Sequence, residues 1–398
     1  MSPLTDAYSK LGIGDLPLAW LQLKRQPIRY LVAVVGIGFA ALLMYMQIGF
    51  QSGLLGSATT FYNALAADLI LINPGTLNSG RFEQFPQSQL YISLGVSGVK
   101  DAVPIYVANI SVQKLGGNKP TSLRVIGFDP QSKALNIASV NQQHNAIKTP
   151  GNVLFDSLGN SNTGPVAKSV TENGYQFLTT TDFSNTFNVV GLFGLGSTFA
   201  ADSNIVTSDS TAIQLANQQL NLGEISLGLI RLTPGANARQ VQSYLKSLYG
   251  KQLQVLTKQQ LVAQEQNYWN KSSSFGIIFG FGTFMGLLVG GVVVYQVLYT
   301  DVSDHLKEYA TLKAMGFSNN FILWIVIQEA LLLGVSSFIP ATILSAGMYA
   351  FLTSASGIRI EMTSDKTSLV GSLTLGICAI SAAIALRKLR DADPASVF

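Results

Sequence analysis

The chain has 398 residues, of which only 12% are charged and 48% apolar, with a net charge of +4. One cysteine excludes an intramolecular disulfide, and two histidines leave little from which to build a metal centre. Much of the basic excess flanks apolar runs, and no basic–aromatic cluster points to nucleic acid.

The first informative segment is Leu16–Gln26, where Leu16, Ala19, Trp20 and Leu23 recur at helical spacing. Trp20 beside Lys24 and Arg25 suits the lipid headgroup level; a plain positively charged flank is the alternative. Pro27 favours a fresh helix start, because its missing N–H costs nothing in a first turn. Tyr30–Gln51 follows, with no ionisable residue except Tyr30 and Tyr45. It is longer than the apolar core of a cleaved signal and starts too late for one, so it reads as a signal anchor.

A mostly polar stretch then runs to residue 270. Asp68–Asn73, Val103–Gln113, Ser122–Phe128, Asn152–Phe155, Val189–Leu195 and Leu227–Leu232 are predicted strands, rich in Val, Ile and aromatics. Gly116-Gly117-Asn118 supplies a turn between two of them. Ala236–Tyr249 has Val241, Leu245 and Leu248 at helical spacing, and Lys258–Asn270 is expected to continue helically toward a membrane. Asn141–Lys148 and Asn160–Thr163 read as polar loops. The ten acids Asp68, Glu83, Asp101, Asp129, Asp156, Glu172, Asp182, Asp202, Asp209 and Glu224 are expected on the solvated surface.

Three further apolar runs close the chain: Ser272–Thr300, Asn319–Leu352 and Thr367–Leu386. Each of the four exceeds the ~20 residues a helix needs to cross a bilayer. The expected fold is therefore an α-helical membrane protein, with four transmembrane helices and a large α+β extracytoplasmic domain between helices 1 and 2. Lys10, Lys24, Arg25 and Arg29 precede the first helix, Lys307 and Lys313 follow the second, and Arg387, Lys388 and Arg390 follow the fourth. The positive-inside rule then places both termini and the 301–318 loop in the cytoplasm. The layout becomes a cytoplasmic segment 1–29, helix 30–52, outer domain 53–270 and helix 271–300. A cytoplasmic segment 301–318, helix 319–352, outer loop 353–366, helix 367–386 and cytoplasmic tail 387–398 complete it.

Catalytic signatures are missing. There is no G-x-x-x-x-G-K-[ST] loop, no G-x-S-x-G elbow and no H-E-x-x-H helix. The glycines around Phe279–Thr283 and at 290–291 lie in an apolar run, where small residues let helices approach. Within Asp301–Ser318, Val302, Leu306 and Tyr309 form one helical stripe, Asp304, His305, Lys307 and Glu308 lie largely off it, and Gly316 ends the turn. This is either a docking surface or an ordinary connector. Glu329, beside Gln328, sits about ten residues into the third run, where a carboxylate costs ~2.5 kcal/mol or more near the bilayer centre. It is either a coupling or proton-relay group or a structural hydrogen bond that orients the bundle. Pro340 is expected to kink that helix.

Glu308–Gly316 (EYATLKAMG) resembles the E-x-x-x-L-[RK]-A-x-G signature of FtsX/MacB-type permeases, the four-helix subunits of type VII ABC systems. Glu329–Gly334 (EALLLG) is similar to that family's E-x-L-L-L-G run, and Ala19–Leu31 to its first-helix entry. Tyr295–Gly316, Val153–Asp156 (VLFD), Gln266–Trp269 (QNYW) and the VVGLFGLGSTFAADSNIVTSD run ending at Asp209 look like the DevC-type permeases of cyanobacterial exporters. The resemblance implies a non-catalytic homodimeric permease in the bacterial inner (plasma) membrane. It would have no cofactor of its own, ATP being bound by a separate ABC ATPase. Its outer domain would engage a periplasmic membrane-fusion adaptor and, indirectly, an outer-membrane channel, to export lipid, glycolipid or other amphipathic cargo. Glu308, Lys313 and Gly316 match the signature and are expected to couple to the ATPase; His305 is added because it is near. A regulatory scaffold that couples an ATPase to a cell-wall hydrolase and a lipoprotein-release permease are the alternatives within the same fold.

Overall fold

The computed structural model describes residues 27–113, 120–160, 164–198, 201–216, 219–272, 274–304, 311, 315–316 and 319–390. They fall into two compact units, one within Met1–Gln51, Ile277–Ala350 and Glu361–Phe398, the other Ser52–Gly276 with Phe351–Ile360.

Helix α1, Pro27–Ala64, carries the first apolar run and extends beyond it into the second unit. Its last turns hold Phe61 and Tyr62, which are buried under the sheet. The sheet unit then runs β1 (Leu69–Ile72), β2 (Phe85–Pro86), α2 (Gln87–Ile92), β3 (Val99–Gln113), β4 (Pro120–Phe128), α3 (Ala138–Gln142) and β5 (Asn152–Asp156). It continues with α4 (Val166–Asn173), β6 (Gln176–Thr179), β7 (Thr186–Phe193), β8 (Ser203–Ser208), α5 (Asp209–Ala216), β9 (Glu224–Ile225) and β10 (Leu227–Leu232). Helix α6 (Ala238–Tyr249), β11 (Gln254–Thr257) and α7 (Lys258–Asn267) complete it. Nine strands form one mixed sheet in the order β11-β1-β10-β3-β4-β8-β5-β7-β6, and β2 pairs β9 separately. The β4–β8 and β5–β7 pairs are parallel.

Both faces of this sheet are covered, which is why β1 reads LILI and is buried at every position. One face carries Leu69, Leu71, Leu123, Val125 and Ile205 against α5 and α6, through Ala212, Leu215, Val241 and Leu245. The other carries Ile70, Ile72, Ile126, Leu154 and Val206 against the end of α1 and against Leu261 of α7. At Gly127 a Cβ would lie 2.2 Å from that of Ala212, so α5 sits directly on β4.

Local chemistry sets the helix ends. Asn237 Oδ1 accepts from Arg239 N and Gln240 N and starts α6. Thr257 and Gln260 form a capping box that starts α7. After α7 the backbone passes through a π-helical turn, Tyr268–Ser272.

Some expectations shift. The strand expected over 189–195 runs over Thr186–Phe193, and Asn141–Lys148, expected as loop, contains the end of α3 and a 3₁₀ turn over Ala146–Lys148. Short β11 and β8 were not expected at all. The turn at 116–118 and most of the loop at 160–163 lie outside the described residues. The segment 351–360 packs in the sheet unit rather than standing as a plain connector. Gly357 adopts φ +70° there, and an added Cβ would lie 3.0 Å from both Asn160 Cα and Ser197 Oγ.

In the other unit α1 packs with α8 (Ser274–Asp304), α9 (Asn319–Ser356) and α10 (Ser364–Arg390). Together these are four helices long and apolar enough to cross a membrane. Gly282, Gly286 and Gly290 repeat every fourth residue along α8 and face Gln47, Met44 and Ala40 of α1. An added Cβ would lie 3.2 Å from Met44 Cγ at Gly286 and 3.0 Å from Ala40 Cβ at Gly290. Tyr45 Oη meets Thr342 Oγ1 at 3.0 Å, and Ser381 Oγ donates to Gly291 O at 3.1 Å, so polar contacts add to the packing. Pro340 lies inside α9, which continues as one helix from Asn319 to Ser356.

Candidate functional site

The connection between α8 and α9 is the first place to look for chemistry. Val302 is buried in the bundle core with Leu298 and Val294, as its place on the apolar stripe requires. Asp304, the last residue of α8, pairs with Arg29 in the first turn of α1. The two helix ends therefore meet. Gly316 has φ +93°, and Met315 N donates to Thr311 O at 3.0 Å. A left-handed residue one step beyond such a turn is where glycine ends a helix at no steric cost. His305, Glu308 and Lys313, like Leu306 and Tyr309, lie outside the described residues.

Gln328 and Glu329 lie on α9. Gln328 is half-buried and Glu329 is 1% exposed, on the stretch that contributes Val326, Ala330 and Leu333 to the bundle core. Glu329 thus faces other helices, as the cost of a carboxylate in lipid demands.

The sheet unit corrects the expectation that its acids are all solvated. Asp156, at the end of β5, is 0% exposed. It accepts from Leu158 N (3.1 Å), Leu195 N (2.9 Å), Gly196 N (2.8 Å) and Asn204 Nδ2 (2.7 Å). Burial pushes its carboxyl up, while these donors pull it down. All its nearby donors are structural, so Asp156 ties the 194–196 turn to β5 and β8 and leaves no open face for catalysis. Arg124 on β4 is also fully buried, opposite Asn109 on one side and Asn204 on the other. Burial lowers its guanidinium from the usual range, with Tyr62 and Glu265 raising it back. Sequence reasoning missed Arg124. The signal was an arginine inside the otherwise apolar run Leu123–Phe128, at a position where the strand's alternation points into the core.

Among the described residues, no group of three or more His, Cys, Asp or Glu could hold a metal ion. Cys378 is buried in α10.

Comparison with known proteins places these elements. The family described as the FtsX-like permease C-terminal matches residues 280–394, which take in most of α8 with α9 and α10. No curated protein matches the chain. Among solved structures, the periplasmic region of MacB from Actinobacillus actinomycetemcomitans is similar at 15% identity and a TM-score of 0.32, covering 51% of this chain and 94% of that one. The extracellular domain of the noncanonic ABC-type transporter YknZ from Gram-positive bacteria gives 13% identity and 0.30, over 48% of this chain and 99% of that one. A domain of a putative permease protein from Porphyromonas gingivalis gives 13% and 0.30, over 48% and 88%. Residues 280–394 thus match the C-terminal region of FtsX-like permeases.

Proposed function

We propose that the chain is the permease subunit of an ABC-type exporter and transmits the motion of a separate ATPase to its sheet unit. The observation that supports this reading best is the FtsX-like match over α8–α10, together with a large sheet unit inserted after α1. FtsX-like permeases are transmembrane, non-catalytic partners of ABC ATPases. In this chain the segment 301–318 is the coupling segment, with His305, Glu308, Lys313 and Gly316 meeting the ATPase. Gly316 supports this role because its left-handed conformation follows the turn closed by Met315 N and Thr311 O, within the stretch that resembles the signature.

The chain sits in the bacterial inner membrane with both termini cytoplasmic and works as a homodimer. Its sheet unit faces the periplasm, engages a membrane-fusion adaptor and, through it, an outer-membrane channel. The cargo is amphipathic, of the lipid or glycolipid class. Apolar side chains dominate the four helices, which suits a transducer better than a hydrophilic pore. Within this mechanism Glu329 holds the bundle together rather than relaying protons.

Glu308→Lys and Gly316→Val test the coupling role. Gly316→Val forces a β-branched residue into a left-handed conformation. Both variants should reach the membrane at wild-type level and lose at least about fivefold of permease-stimulated ATP hydrolysis by the partner ATPase, since a coupling interaction is typically worth about 1–3 kcal/mol. Wild-type stimulation in both variants would remove the coupling role from this segment.

A further inference from the structure

A buried acid and a buried base meet under the sheet, where none of the preceding mechanism uses them. Glu265 of α7 is 2% exposed and Arg124 of β4 is 0% exposed. Ser79 lies between them. Its N–H donates to Glu265 Oε2 at 2.9 Å and Oε1 at 3.0 Å, its hydroxyl to Oε1 at 2.7 Å, and its carbonyl accepts from Arg124 Nη2 at 2.9 Å. Two more donors reach the same carboxylate: Trp269 Nε1 at 2.8 Å and Tyr62 Oη at 3.3 Å. The guanidinium lies 5.7 Å from the centre of the Phe61 ring. The Ser79 hydroxyl also lies 3.3 Å from Ala58 O.

Four chain segments converge on this cluster. They are the end of α1 (Ala58, Phe61, Tyr62), the 79 turn, β4, and α7 with the turn after it. Trp269 belongs to the π-helical turn Tyr268–Ser272, which leads into α8. A π-helical turn breaks the regular hydrogen-bond ladder, so it is a natural place for a helix to bend. Carboxylates with several N–H and O–H donors are held strongly when buried, because each bond to an ionised group is stronger than a neutral one. A Glu at i+4 from Leu261 also faces the same side as that core residue.

We propose that Glu265 is a latch that locks α7 and the π-helical turn to the end of α1 and to the sheet. These parts then move as one body. Arg124 is its positioning residue and acts through Ser79. The inference rests on reading the chain as a transducer: motion entering from α8 reaches the sheet instead of being absorbed at the π-helical turn.

Hydrogen–deuterium exchange on the full-length protein in nanodiscs tests it. Glu265→Gln keeps the shape and removes the charge, but leaves the Arg124 cation without its counter-ion. The Arg124→Met/Glu265→Gln double variant removes both charges and keeps the test valid if the single variant folds poorly. Exchange over 258–272 and over 55–64 should rise by about tenfold or more in the double variant, the scale expected when charged hydrogen bonds are lost locally. Exchange over β4 and β8 should stay near wild type. Trp269→Phe should raise exchange over 268–272 in the same direction. Unchanged exchange over 258–272 in the double variant would overturn the latch. So would an equal rise across β4 and β8, which would make the pair an ordinary part of the core. The measurement needs no ATPase, so losing the latch would leave the coupling role of the 301–318 segment standing.

Discussion

At the scale of single residues, the strongest constraints are buried charges. Asp156 gathers three backbone N–H groups and one side-chain amide around a single carboxylate. Replacing it with asparagine puts an NH₂ among donors and removes the charge that orders the 194–196 turn. Asp156→Asn should destabilise the sheet unit by about 1.5–3 kcal/mol, the range for hydrogen bonds to charged groups. Thermal unfolding of the full chain in detergent would show this as a lower first transition; an unchanged transition would mean the turn is held by other contacts. The sequence shows such residues poorly. Asp156 closes the apolar run VLFD, and nothing in that spelling says that Asn204, 48 positions on, will sit beside it. Arg124 and Glu265 belong to segments 141 positions apart, joined through Ser79. A carboxylate's burial depends on partners brought by topology, and local pattern carries no record of them.

At the scale of elements, the apolar helices were legible and the sheet only partly so. A run of more than about 20 apolar residues has one stable form in lipid, because its backbone groups must bond within the segment. Leu227–Leu232 (LGLIRL) and Asn152–Phe155 (NVLF) were legible for a similar reason: short segments rich in Val, Leu, Ile and Phe suit a strand covered on both faces. β8, spelled SNIVTS, was not, because its hydroxyl and amide side chains are buried only through pairing with β4 and β5. Of the α8 glycines read as packing sites from their place in an apolar run, Gly282 and Gly290 meet α1 and Gly291 meets Ile377 of α10, whereas Gly280 has no neighbour within 4 Å; Gly286, not singled out in the sequence, also meets α1. Gly290→Leu should push α8 from Ala40 and cost about 1–3 kcal/mol of bundle stability, as overpacking does elsewhere. The bundle transition in detergent should fall, with the sheet unit's transition unmoved. Equal loss in both transitions would show that the two units unfold together.

At the scale of the whole molecule, two features decide the reading. The first is the order of parts, with α1, a sheet unit and then three apolar helices, over most of which the FtsX-like permease C-terminal family matches. The second is the place of chemistry. Among the described residues no metal cluster is present, and the buried acids serve structure. The polar groups of the sheet unit hold the end of α1, β4 and α7 together. Arg29 and Asp304 join the start of α1 to the end of α8, beside the loop that carries the family signature.

The central claim is that this chain works with a separate ABC ATPase to drive export. Mild-detergent purification of the tagged full chain from its native membrane, followed by mass spectrometry, tests it most directly. The account predicts an ABC ATPase and a membrane-fusion adaptor in near-equal amounts with the chain, and loss of the ATPase alone from the Glu308→Lys variant. Purification with a cell-wall hydrolase and no adaptor, or with no ATPase at all, would contradict it.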